Sequence, residues 1–145
     1  MAPGMNAPLY TTEILRLAAS LPEPRELERV DGSSEQRSLT CGSTVRLQFQ
    51  RGAGGRVEAI SQEVHACAFG QASASLLAAG AAGRREDEVA DAILELEAWL
   101  SGTRDEPGDW PGLAALAPAR SRRSRHGAIL LPFRALLAAM KSERG

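Results

Sequence analysis

The chain has 145 residues, a formal net charge of −1, 43% hydrophobic and 4% aromatic residues, and two cysteines. That length holds one domain with its own core, while the near balance of charge argues against a protein that coats nucleic acid. So few aromatic residues exclude a base-stacking platform, and no apolar run is long enough to span a bilayer.

Residues 1–7 read as a frayed tail, and residues 8–145 as a single domain. The start Met1-Ala2-Pro3-Gly4-Met5-Asn6 lacks both the basic region and the apolar run of a signal peptide, so a cytoplasmic location is expected. From Leu9 to Leu21, the positions Leu9, Ile14, Leu15, Leu17, Ala18 and Leu21 fit one helical face. Thr11 or Thr12 is a suitable cap, Glu13 suits the first turn, and Pro22 and Pro24 end the helix. Residues 25–36 are charged and irregular, with Asp31-Gly32-Ser33-Ser34 read as a turn. Ser38-Leu39-Thr40 reads as a short strand leading into Cys41.

Thr44 to Gln50 alternates apolar and polar residues, placing Val45, Leu47 and Phe49 inward on a half-buried strand. Arg51-Gly52-Ala53-Gly54-Gly55 is a hairpin turn. Arg56 to Val64 is the returning strand, and its slip in alternation at Ala59-Ile60 marks a bulge. Ala68 to Ala82 predicts a helix of small residues stopped at Gly80 or Gly83. Arg85 to Leu100 is the clearest helix, with Val89, Ala92, Ile93, Leu96 and Leu100 at helical spacing and an acidic, solvated opposite face. Residues 101–112 form a loop in which Trp110 packs on the last helix, and Gly112 to Leu116 adds a helical turn. A basic segment, 117–125, precedes His126-Gly127 and a final helix over 128–141 with Pro132 in or near its first turn. The order of helix, three strands, then helices predicts an α+β fold: a small antiparallel three-stranded sheet covered on one face by helices.

Both cysteines fall at element boundaries. Cys41 precedes the first long strand, and Cys67 precedes the alanine- and serine-rich helix. In a reducing compartment, two such thiols are ligands, catalytic groups or inert core residues rather than a structural disulfide. The helix that follows Cys67 offers free N–H groups and a positive dipole end, which favour a thiolate or a bound anionic sulfur species.

Around these cysteines the chain resembles the NifU/IscU-type iron–sulfur cluster assembly scaffolds, in their SufU-like branch. The match is carried by Cys41-Gly42-Ser43, by Cys67 followed by Ala72-Ser73-Ala74-Ser75, and by Tyr10-Thr11-Thr12-Glu13-Ile14-Leu15. The long insert before the last helix, Pro118-Ala119-Arg120 and Leu130-Leu131-Pro132-Phe133 extend it over residues 8–142. Two departures stand out. The aspartate after the first cysteine is Ser43 here, and the third cysteine, expected near Gly127, is absent, with His126 beside its place.

The resemblance implies a scaffold or carrier without turnover of its own, binding iron or a labile [2Fe–2S] cluster through Cys41 and Cys67. His126 and His65 are the candidate replacement ligands. A zinc-binding sulfur acceptor working with a cysteine desulfurase is one alternative, and a cluster-free interaction protein is another. The implied partners are a cysteine desulfurase and recipient apo-proteins, with no nucleic acid and no membrane, the chain being a monomer or a weak homodimer. Arg120, Arg122, Arg123 and Arg125 offer a docking patch for an acidic partner, or a solvated loop. Leu131, Pro132 and Phe133 match a partner-recognition stretch, with core packing as the other reading.

Overall fold

The structure is a computed structural model and describes residues 10–39 and 42–142. Its elements follow the chain as α1 (Thr12–Ala19), β1 (Gly32–Arg37), β2 (Thr44–Arg51), β3 (Val57–His65), α2 (Ala68–Gly80), α3 (Glu86–Ser101) and α4 (His126–Lys141). Short 3-10 segments lie at Ala53–Gly55, Leu113–Ser121 and Arg123–Arg125. The strands form one antiparallel meander in the order β1-β2-β3, and α2 and α4 cover one face of it. The fold is therefore α+β, as the element order predicts.

Alternation on β2 sets the register. Val45, Leu47 and Phe49 are fully or almost fully buried and face the helices, while Arg46 and Gln48 face solvent. Opposite them, Gln50 pairs with Ala59 but Arg51 pairs with Val57, which leaves Glu58 as the extra residue of a bulge. That is one residue before the slip visible in the sequence.

The first strand corrects the sequence reading. Gly32 to Arg37 pairs with β2 along its whole length, whereas Ser38 and Leu39 lie beyond the strand and Thr40 lies outside the described residues. Turn-forming residues are used here as strand residues because the backbone of α4 passes directly over them. A side chain at Gly32 would run into the Ala139 carbonyl, and the Ser34 hydroxyl donates to the Ala135 carbonyl at 2.7 Å. Only small residues fit under that helix, so tertiary pairing overrides local preference.

The helices follow their caps. The Thr11 hydroxyl accepts the Ile14 N–H at 3.1 Å and starts α1; Leu9 lies outside the described residues, and Leu15 is left half-exposed. In α3, the Glu88 carboxylate accepts the Arg85 N–H at 2.8 Å, and Gly102 ends the helix at φ +89°. Buried residues surround most of α2, which packs between α1, α4 and the sheet. Trp110 is buried as expected: its ring meets Phe133 of α4 edge-on at 5.0 Å, and its N–H donates to the Leu76 carbonyl at 2.9 Å. Gly80 allows this contact, since a Cβ there would lie 2.6 Å from the indole nitrogen.

The last helix starts two residues earlier than the sequence suggests, so Pro132 falls in its second turn. There it removes the N–H that would bond to the Ala128 carbonyl. Leu131, Pro132 and Phe133 are all buried. Burial corrects the partner-surface reading and agrees with the core-packing one: consecutive residues point to different sides of α4, which is buried nearly all round here.

Asp31 ties β1 to the hairpin. Its carboxylate accepts the Arg51 N–H at 2.7 Å and the Arg29 Nε–H at 2.9 Å. The Arg51 backbone bond first, and then Arg29, hold its pKa below the ordinary carboxylate value. A depressed folded-state pKa contributes stability that is complete above the unfolded value and is lost as pH falls through the folded one. Asp31→Asn is therefore expected to lose less stability than the wild type between about pH 5 and pH 3, measured by thermal melting. Gly80→Ala is expected to lower stability by about 1–3 kcal/mol in denaturant titration, because Trp110 has to shift. Gly32→Ala is expected to lower it at least as much.

Candidate metal centre

The site is built where three chain segments end at one edge of the sheet. The register pairs Arg37 with Thr44 and Thr44 with His65, so the turn after β1 and the end of β3 are neighbours. Ser38 and Ser43 close that turn: the Ser38 N–H donates to the Ser43 carbonyl at 2.8 Å, and the Gly42 N–H donates to the Ser38 carbonyl at 3.1 Å. Gly42 has φ +74°, a conformation that favours glycine and accounts for the Cys-Gly pair. Cys41 itself lies outside the described residues. Ser43 is buried. Leu39, which the sequence reading passed over as a strand residue, is 95% exposed on this turn.

Cys67 is the N-cap residue of α2, half-buried and a free thiol. Its own carbonyl accepts the Gln71 N–H at 2.9 Å, and Gln71 also donates from its side chain to the Ala66 carbonyl at 2.9 Å. The 65–68 corner is thus fixed from both sides. The first turn of α4 packs on the first turn of α2. A Cβ added to Gly70 would lie 3.4 Å from the Ala128 Cβ, and the Ser73 hydroxyl donates to the Ile129 carbonyl at 2.6 Å. His126, two residues before Ala128, therefore starts α4 at the same end of the molecule as Cys67.

The two histidines differ in environment. His126 is half-buried, and its Nε2 lies 2.8 Å from the Ala119 carbonyl and 3.2 Å from the Arg120 carbonyl. Carbonyls only accept, so Nε2 carries the proton and donates to both. In a neutral ring this leaves the Nδ1 lone pair for a cation. His65 sits on the solvent face of β3, with a side-chain exposure of 70% and its Nε2 3.2 Å from a Glu63 carboxylate oxygen. The strand ends at His65, so its alternation does not extend to Cys67.

The basic segment divides as well. Arg120 is engaged inside the fold: its Nε donates to the Trp99 carbonyl at 2.9 Å, one Nη donates to the Arg104 carbonyl at 3.0 Å, and its guanidinium lies 5.1 Å from the Trp99 ring centre. This corrects its place in a free docking patch. Arg122 and Arg123 are exposed, and Arg125 is half-buried.

Among the described residues, no group of three or more His, Cys, Asp or Glu side chains is placed to hold a metal ion. The described donors at this edge are the Cys67 sulfur and the His126 Nδ1, a soft and a borderline donor that both zinc and iron accept. They fit such a cation as part of a ligand set. Among the described residues, no helix is long and apolar enough to cross a membrane.

No family model and no curated protein matches the chain. Solved structures do. The N-terminal part of a nitrogen-fixing NifU-like protein from Brucella abortus is 29% identical, with 92% of each chain covered and a TM-score of 0.84. A protein named as a candidate iron–sulfur cluster assembly scaffold for the SUF system, from Fervidobacterium islandicum AW-1, is 22% identical. That alignment covers 92% of this chain and 97% of the other, with a TM-score of 0.81. A protein described only as hypothetical is 19% identical over 90% of this chain and 97% of its own, with a TM-score of 0.74. With the helix–meander–helix order, the thiol at the start of α2 and this end-to-end correspondence, the chain has the NifU/IscU-type fold of iron–sulfur scaffold proteins.

Proposed function

We propose that the protein is an iron–sulfur cluster assembly scaffold or carrier. Its cargo is iron or a labile iron–sulfur species held by Cys41 and Cys67, with His126 as a further ligand through Nδ1. One observation carries this reading: Cys67, a free and half-buried thiol, is the N-cap residue of α2, and the first turn of α4, which begins with His126, packs on the first turn of that helix. The names of two similar structures support it, one as a nitrogen-fixing NifU-like protein and the other as a candidate iron–sulfur cluster assembly scaffold.

The chemistry asked of the chain is modest. Cys67 offers its sulfur at the positive end of a 13-residue helix, which favours a bound anionic sulfide. His126 supplies a neutral nitrogen ligand oriented by its second nitrogen. Incomplete protein ligation suits a carrier, since cargo held by few ligands is readily released. A second chain supplying two more thiolates is a route to a bridged [2Fe–2S] species. His65 contributes only if it leaves Glu63. A cysteine desulfurase is the sulfur donor under this reading, docking on exposed Arg122 and Arg123, and recipient apo-proteins take the product in the cytoplasm. The chain itself turns nothing over.

The test is anaerobic reconstitution followed by iron, acid-labile sulfide and zinc analysis. The wild type is expected to bind iron and sulfide, Cys41→Ala and Cys67→Ala to lose them, and His126→Ala to retain less. A wild type that takes up zinc but neither iron nor sulfide would replace the cluster reading with the sulfur-acceptor one. A wild type that takes up none of the three would overturn both.

A further inference from the structure

The segment between α3 and α4 carries an arrangement that the cysteines do not explain. His126 donates to two backbone carbonyls, those of Ala119 and Arg120. Both belong to the 3-10 segment Leu113–Ser121, and the Ala119 carbonyl also accepts the Arg122 N–H at 2.9 Å. The Arg120 side chain ties this segment to α3. Its guanidinium reaches across to the C-terminal end of α3, donating to the Trp99 and Arg104 carbonyls and lying over the Trp99 ring. The Trp99 carbonyl belongs to the last turn of that helix, where it also accepts the Gly102 N–H at 3.1 Å and where the helix dipole favours a cation. On the other side of the segment, Leu113, Leu116 and Ala119 are buried in the core.

We propose that Arg120 is a positioning residue: anchored on the end of α3, it holds the Ala119 and Arg120 carbonyls that lock His126 as the Nε2–H tautomer, so that the ring presents Nδ1 alone to a thiophilic cation. The cation in this statement rests on the proposed function; the tautomer lock does not. A carbonyl pair is a one-way lock. It accepts a hydrogen bond and never donates one, so rotating or flipping the ring would take the imidazole N–H from both carbonyls and leave Ala119 with only its bond from the Arg122 N–H. A histidine on an open helix start would sample both tautomers and several rotamers, and the order imposed here lowers the cost of binding a ligand. Lysine cannot replace Arg120, because the lock uses two guanidinium nitrogens on two carbonyls and a flat group over an indole.

The tautomer is read directly by long-range 1H–15N correlation of the histidine side chains in the metal-free protein at about pH 8, above the ordinary imidazole pKa. His65→Gln assigns the two rings. In the wild type, His126 is expected as the Nε2–H form alone. Arg120→Ala is expected to give a mixture of tautomers while circular dichroism stays unchanged. If Arg120→Ala does not fold, Arg120→Lys keeps the alkyl stem on Trp99, loses the two-carbonyl fork, and is read in the same way. A His126 Nδ1–H form in the wild type, or a pure Nε2–H form in a folded Arg120 variant, would overturn the lock.

Co2+ titration, followed by its thiolate charge-transfer absorption, tests the second half. Arg120→Ala is expected to weaken Co2+ binding about 10–100-fold, as loss of an orienting partner does at other metal sites. Unchanged affinity in a variant with mixed tautomers would overturn the link to the cation. A wild type that binds no Co2+ would overturn the cation half together with the scaffold reading, and the spectrum of the metal-free ring would still decide the lock.

Discussion

The backbone of α4 lies against β1 more closely than an ordinary side chain allows, and much of the architecture follows from that. Against β1 it tolerates only Gly32 and Ser34, under the carbonyls of Ala139 and Ala135. Against α2 the crossing is made by Gly70 and Ser73, at Ala128 and Ile129. Each contact places a small residue or a hydroxyl beneath a helix carbonyl. Packing of this kind fixes distance and rotation together, because a one-methyl change has nowhere to go. It also settles the site. Holding the first turn of α4 on the first turn of α2 brings His126 to the end of the molecule where Cys67 caps its helix.

The amphipathic parts of the fold were legible in the sequence. Val45, Leu47 and Phe49 define β2 by alternation, and Val89, Ala92, Ile93, Leu96 and Leu100 define α3 by helical spacing, because each element buries one face. The first strand was not legible. Gly32, Ser33 and Ser34 resemble a turn because the residue types that make turns are also those that fit beneath a close helix. The start of α4 was misplaced for a similar reason: the 3-10 turns before it hold carbonyl acceptors for His126, and backbone groups leave no mark on residue identity.

The candidate site divides along the same line. A thiol before a helix of small residues, the glycine after Cys41 and the histidine at the start of α4 are side-chain features and can be read directly. The division of the arginines is not. Arg120, Arg122, Arg123 and Arg125 form one basic run in sequence, yet Arg120 is turned inward onto α3 while Arg122 and Arg123 face solvent. Burial of a guanidinium depends on which carbonyls lie within its reach, and those belong to the end of α3 and the loop after it, 21 and 16 residues earlier. Of these four, Arg122 and Arg123 are left to the outside, Arg125 is half-buried, and Arg120 serves the framework.

The hydrogen bond between Ser34 and Ala135 spans 101 positions of sequence. The meander, by contrast, pairs neighbouring strands through short turns and can form as soon as β3 has left the ribosome. Contacts of such long range are entropically costly to close and come late in folding. Until α4 docks, the inner face of the sheet lacks its cover, and His126 has no fixed place near Cys67. A chain still being synthesised therefore has Cys67 in place at the start of α2 before His126 is fixed, and the two come to one end of the molecule only with the last helix.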